Sequence, residues 1–214
     1  MTGTQEHGAT TPDRTMLDED DQLMLRLQGG DRSAFDCLVE RHRHALVGFF
    51  FRNTRDIQLS EDLTQDTLLK VYNQSWDFLP RGAFRGWMFR IARNLMIDNS
   101  RRRSHDALVK AVRGRHGEED DGLGRIEGRV KSAESEAEQR ELAKLVEATL
   151  PLLPEEQRQT FVMHHFDGLS LSEVADAMET NLPTCKSRLR LAREKLRDKL
   201  KDRGVRDPRL ELDE

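Results

Sequence analysis

Arg90, Arg93, Asn94, Ile97 and Arg101 fall on one face of a helix-period run that starts at Phe84. On another face of the same run, Phe84, Trp87, Met88, Ile91 and Leu95 recur at i, i+3, i+4 and i+7 spacing and form an apolar stripe. Only Asp98 opposes the arginines. Guanidinium and amide groups are the side chains best suited to base edges, and clustered arginines grip phosphates. The run is therefore predicted to anchor itself through aromatics and to offer nucleic-acid chemistry on its other side. The competing reading is a solvated basic face on an ordinary core helix.

A second basic helix weighs against that plainer reading. Ser170–Met178 reads as a short helix in which Ser170 and Glu173 have capping-box spacing. After Glu179-Thr180-Asn181 comes a strongly basic helix from Leu182 to Leu196. Two short helices joined by a tight turn, the second basic, are the pattern of a helix-turn-helix. Leu182, Cys185, Leu189, Ala192 and Leu196 are predicted to face the first helix. Thr184, Lys186, Ser187, Arg188 and Arg190 lie toward the other side and the N-terminal end, where a recognition helix reaches a major groove.

The elements that must position these faces are helical throughout. Charged residues make up 35% of the 214 and aromatics only 6%, so any core is small, and two helical modules suit the chain better than one large globule. Almost no β-branched alternation is present, so strands are not expected. The formal net charge is only −4, but acids collect in the N-terminal tail and bases in 85–103 and 186–203; local patches decide nucleic-acid contact.

Along the chain, residues 1–17 read as a disordered acidic tail. Asp18–Asp21 could cap a first helix carrying Leu23, Met24 and Leu27 and ending at Gly29-Gly30. Asp31 is a good N-cap for a second helix, with Ala34, Phe35, Leu38, Val39, Ala45, Leu46, Phe49 and Phe50 inward. Ser60 is predicted to open a third helix that runs to about Tyr72, with Leu63, Thr67, Leu68 and Val71 inside and Asp62, Gln65 and Asp66 outside. The pattern breaks over 73–81, where Trp76 and Phe78 could plug a core or wall a pocket. From Ser104 periodicity fades into a glycine-containing, acidic stretch, predicted to be a flexible linker over 105–134. Helices resume at Ser135, with Leu142, Leu145, Val146 and Thr149 on one face, and again at Pro154; residues 204–214 read as a tail.

Several chemistries find no support. His164-His165 and the pair His42 and His44 have the wrong spacing for a two-ligand helix face, and no set is completed by carboxylate or thiolate. Cys37 and Cys185 stand alone, which suits a reduced, cytoplasmic chain. Neither a signal peptide nor an apolar run of spanning length is visible, so no membrane insertion is expected. No nucleophile–base pair or phosphate-cradling loop supports an enzyme, and no metal or other cofactor is expected.

The segment Phe84-x-x-Trp87-Met88-x-x-Ile91-Ala92-x-Asn94-x-x-x-Asp98-x-x-Arg101 resembles the promoter-melting and minus-ten-reading segment of sigma factors, specifically the extracytoplasmic-function (ECF) group of the sigma-70 family. Gly30-Asp31-x-x-Ala34-Phe35-x-x-Leu38-Val39 is similar to the start of these proteins, and Leu150–Leu196 to their minus-thirty-five-reading module. The resemblance implies an all-α protein: a region 2-like bundle over 18–104 and a region 4-like helix-turn-helix domain over 135–203, joined by the linker. It implies that Asn73, Trp76, Arg85, Trp87, Arg90, Arg93, Asn94, Ile97 and Arg101 contact minus-ten DNA, with a flipped base held by the 73–81 loop. Asp62, Gln65 and Asp66 would dock on the clamp helices of the polymerase β′ subunit, an acidic and amide face suiting an arginine-rich partner. The further partners implied are the β flap, promoter DNA and an anti-sigma factor. The linker is either a passive tether or a segment threading a polymerase channel. Glu179 and Pro183 stand where many relatives have glycine, and the loss of glycine at 179 suggests a reshaped turn.

Two functions remain distinct on these residues. One is a sigma factor with two DNA-reading modules. The other is a stand-alone helix-turn-helix regulator, in which Phe84–Arg103 would be a core or dimerisation helix. The presence of both modules in family order favours the first.

Overall fold

The computed structural model describes residues 18–112 and 143–202. The expected tails, residues 113–134 of the expected linker, and the first part of the helix expected from Ser135, Leu142 included, lie outside the described residues. What is described is helical or irregular, with no strand among the described residues. The order is α1 (Glu19–Gln28), α2 (Arg32–Thr54), α3 (Ile57–Asn73), a single 3-10 turn (Ser75–Asp77) and α4 (Phe84–Val112). Then come α5 (residues 143–149), a 3-10 turn (Leu150–Leu152), α6 (Glu155–His165), α7 (Leu171–Ala177) and α8 (Leu182–Lys201).

Local chemistry sets most of these limits. Gly30 takes φ +92 after α1, and the Asp31 side chain accepts from the Ser33 N–H to start α2. The third helix begins three residues before the predicted Ser60, because Asp56 caps it by accepting from the Leu59 N–H; Ser60 is buried inside the helix. The fourth helix runs on to Val112, so the first eight residues of the expected linker, 105–112, are helix.

In the N-terminal four helices, α2 packs on α1 and α3, and α4 closes the group against α3. Phe49, Phe50, Phe84 and Phe89 are fully buried there, each contributing about 1.5–3 kcal/mol of burial. Phe89 and Met96 were not on the predicted apolar stripe of α4, yet both are buried. The helix is covered on two sides, by its own bundle and by α7 of the C-terminal group. In that second group α8 lies across α6 and α7. The buried hydrophobic residues of both groups form one contiguous cluster.

Candidate nucleic-acid and protein interfaces

The helix-turn-helix is assembled by caps. Ser170 Oγ accepts from the Glu173 N–H at 3.2 Å, and the Glu173 carboxylate accepts from the Ser170 N–H at 2.8 Å, completing the box at the start of α7. Asn181 caps α8 by accepting from the Thr184 N–H at 2.8 Å, and Pro183 fits the first turn, where no N–H is needed. The turn between the helices has a left-handed step at Glu179, φ 51, the conformation that glycine tolerates best. Cys185, Leu189, Ala192 and Leu196 are buried as predicted, and burial pushes the Cys185 thiol up. Leu182, predicted to face inward, is exposed, because it lies in the first turn of α8, ahead of the crossing with α7.

The opposite side of α8 carries the predicted groove-reading residues. Lys186, Ser187 and Arg190 are exposed, while Thr184 and Arg188 are half-buried. Arg188 is paired with Glu156 from the first turn of α6, and Arg190 with Glu194 one turn along. Glu156 is a residue that reading the basic helix alone did not suggest.

On α4 the predicted minus-ten residues divide. Asn94 and Arg101 are exposed; Arg85, Trp87, Arg90, Arg93 and Ile97 are half-buried. Much of that cover comes from the C-terminal helices. Arg85 donates to the carbonyls of Asp167 and Gly168, and Arg93 Nε donates to Gln159 Oε1 at 3.0 Å. Gly86 lies against α7, where a Cβ would be 3.2 Å from the Glu173 carbonyl oxygen. Trp87 and Arg90 line a cavity of about 450 Å³ with Leu79 on one side and Ala175, Asp176 and Thr180 on the other.

The same seam continues along α2. Arg52 pairs with Glu147 at 3.1 Å and lies 4.2 Å from the Phe166 ring centroid. Arg55 donates to the Glu147 carbonyl, and Arg158 donates to Asn53 Oδ1 at 3.2 Å. Asp167, in the turn between α6 and α7, is buried in this seam. Burial pushes its carboxyl up to about 8, against the pull of Arg52 and Arg85.

The loop after α3 separates its two aromatics. Phe78 is buried, with its ring 5.1 Å from Trp87 and 5.8 Å from Phe84, whereas Trp76 is 73% exposed. Asn73, the last residue of α3, is exposed beside it in sequence. The acids of α1 do not cap their own helix. Asp18 holds the N-cap position without a side-chain bond. Asp20 is buried, 2.7 Å from Arg41 and 2.9 Å from His42, and these two groups outweigh its burial and hold the carboxyl below its ordinary value.

The outward face of α3 is as predicted: Asp62, Gln65 and Asp66 are all exposed. Leu69, one turn further on, is 58% exposed and extends the same face with an apolar group. Its i+4 spacing from Gln65 was the available signal. Among the described residues no group of three His, Cys, Asp or Glu could hold a metal ion, and no helix is long and apolar enough to cross a membrane.

Residues 38–106 match the family description Sigma-70 region 2, and residues 143–196 match Sigma-70, region 4. The RNA polymerase sigma-H factor of Pseudomonas aeruginosa is 33% identical over 180 residues, covering 83% of this chain and 91% of that protein. The ECF RNA polymerase sigma-E factor of Escherichia coli K12 is 30% identical over 185 residues, covering 85% and 94% respectively. Among solved structures, CnrH in complex with the cytosolic domain of CnrY aligns with TM-score 0.62 at 27% identity, over 88% of this chain and 100% of that one. The sigma factor RpoE of Bartonella quintana, solved with the anti-sigma factor NepR, shares the fold with TM-score 0.62 at 24% identity, over 78% and 96%. The region 2 and region 4 matches, in that order, and relatives matched over most of their length agree: the chain belongs to the extracytoplasmic-function group of the sigma-70 family of RNA polymerase sigma factors.

Proposed function

We propose that this chain directs core RNA polymerase to specific promoters and begins their melting, with the work divided between its two helical groups. The N-terminal end of α8 reads upstream duplex through Thr184, Lys186, Ser187, Arg188 and Arg190. The outer face of α4, from Arg85 to Arg101, and the loop with Asn73 and Trp76 take the unpaired minus-ten strand. Asp62, Gln65 and Asp66, with Leu69, dock on the β′ clamp helices, and the second group engages the β flap. The partners are core polymerase, promoter DNA and an anti-sigma factor, met in the cytoplasm. No covalent step falls to the chain itself; stacking on captured bases, at about 1–3 kcal/mol each, offsets unpairing.

The observation that carries this division is that the chain has two basic helices of different kind. Arg188 and Arg190 stand on a capped recognition helix. Arg93 and Asn94 stand on a helix whose other sides are packed with aromatics. A simple operator-binding regulator needs only the first.

Transcription from a linear promoter, compared with a template already mismatched across the melted region, tests the division. Arg93→Ala and Asn94→Ala should be impaired on duplex and partly rescued by the mismatch. Arg188→Ala should be impaired on both where recruitment limits, by about 1–3 kcal/mol for loss of a base contact. Equal rescue of both classes, or of neither, would refute it.

A further inference from the structure

We propose that Asp21 and Gln28, on α1, are positioning residues that hold the 73–83 loop in the shape that accepts an unpaired promoter base. The inference rests on the reading of that loop given above, and neither residue is taken to touch DNA. Gln28 Nε2 donates to the carbonyls of Ser75 at 2.7 Å and Phe78 at 2.9 Å, the residues that begin and follow the 3-10 turn. Seven residues earlier on the same helix, the fully buried Asp21 carboxylate accepts through Oδ2 from the N–H of Gly82. Gly82 takes φ +68 there, a step that favours glycine. Gly82 stands two residues before Phe84, which opens α4, so Asp21 fixes from another helix the backbone that leads into α4.

One helix thus grips the loop near its beginning and at its end, and Phe78 fastens the middle by burying its ring. Between these fixed points Trp76 and Leu79 are 73% and 61% exposed. Large apolar side chains held out on a fixed backbone form a stacking surface whose ordering cost is met in advance. Burial pushes the Asp21 carboxyl up from its ordinary value, and the Gly82 N–H draws it partly back. A buried carboxyl of this kind is costly unless it is bonded, which ties its presence to the loop whose Gly82 N–H it holds.

The test uses the full chain bound to core polymerase. A promoter is first selected with the wild-type holoenzyme. A fluorescent single strand carrying its minus-ten non-template sequence is then titrated beside the same strand with the captured base made abasic. Gln28→Met keeps the side chain's length and removes its donors. It should weaken intact-strand binding about tenfold and lose most of the discrimination against the abasic strand. Binding to core polymerase and to upstream duplex should stay unchanged. Asp21→Asn, which keeps an acceptor oxygen, should act in the same direction to a smaller extent. Unchanged discrimination in Gln28→Met, beside a Trp76→Ala variant that loses it, would overturn the positioning role and leave the loop reading intact. Unchanged discrimination in both would overturn the loop reading, and the proposal with it. Loss of core and duplex binding together with strand binding, in both α1 variants, would mark a general structural role and also overturn it.

Discussion

Replacing Gly86 with leucine should separate the two groups of helices. At the crossing of α4 and α7 a Cβ on residue 86 would lie 3.2 Å from the Glu173 carbonyl oxygen, 3.4 Å from its Cα and 3.5 Å from its Cβ. Two of these atoms are backbone, so α7 itself has to move. Alanine needs a shift of a few tenths of an ångström. It also gains about 1 kcal/mol of helix propensity in α4, so the net effect on melting is small. Leucine adds three further carbons beyond a Cβ that already crowds the α7 backbone, an overpacking cost of about 1–3 kcal/mol. Against this stand the side-chain bonds made by Arg85, Arg93 and Arg158 across the seam, each about 1 kcal/mol net. The closed arrangement should therefore lose about 5- to 150-fold in population. Small-angle X-ray scattering of the purified chain should give a larger radius of gyration for Gly86→Leu at unchanged helical circular dichroism. A leucine variant with the wild-type scattering curve would refute this account of the seam.

Three other outcomes follow from particular contacts. In the closed form Asp167 keeps its proton up to about pH 8, facing Arg52 and Arg85, whereas on separation its carboxyl returns toward 3.8. The closed form therefore binds more protons across that window, is favoured at its acid end and weakens as pH rises through it; Asp167→Asn should flatten the pH dependence of the radius of gyration. Gln65→Ala with Asp66→Arg changes only exposed side chains, so folding should persist while capture by core polymerase in a pull-down weakens. Glu179 holds φ 51, so Glu179→Val should lower stability by about 1 kcal/mol or more in thermal melts, and Glu179→Gly should cost nothing comparable.

What the sequence made legible was local. The Ser170–Glu173 box, the Gly29-Gly30-Asp31 junction and the apolar period of α8 from Cys185 onward each depend on residues within a few positions, and each formed as read. The outward trio of α3 was equally readable, because helical period alone turns Asp62, Gln65 and Asp66 away from Leu63, Thr67 and Leu68. The failures share a different cause. Asp20 and Asp21 look like helix-capping acids, yet their carboxylates bond to Arg41 and to the Gly82 N–H, partners 21 and 61 residues away. Phe89 and Met96 lie off the apolar stripe of α4 but are buried, because period reports one covered side and this helix has two. Nothing local distinguishes Trp76 from Phe78; only the Phe84 and Trp87 rings decide which of them goes inside. The half-cover of Arg85 and Arg93 belongs to the same class, since Asp167 and Gln159 are 82 and 66 residues away.

The pairing of Arg188 with Glu156, and of Arg190 with Glu194, bears on how ionic strength governs promoter choice. A cation that neutralises a phosphate frees condensed counterions, and affinity then falls steeply with salt, by a logarithmic slope of about 0.9 per phosphate neutralised. A guanidinium that keeps a carboxylate beside it brings little net charge to the duplex and frees few ions. Two of the five positions proposed to read the groove are built this way, so upstream binding should respond to salt less steeply than a count of its basic residues implies. What such arginines still offer is the directional fork that reads a guanine edge. On the proposed reading, such pairing should hold non-specific, ion-driven adhesion low while leaving the hydrogen bonds that would tell one sequence from another.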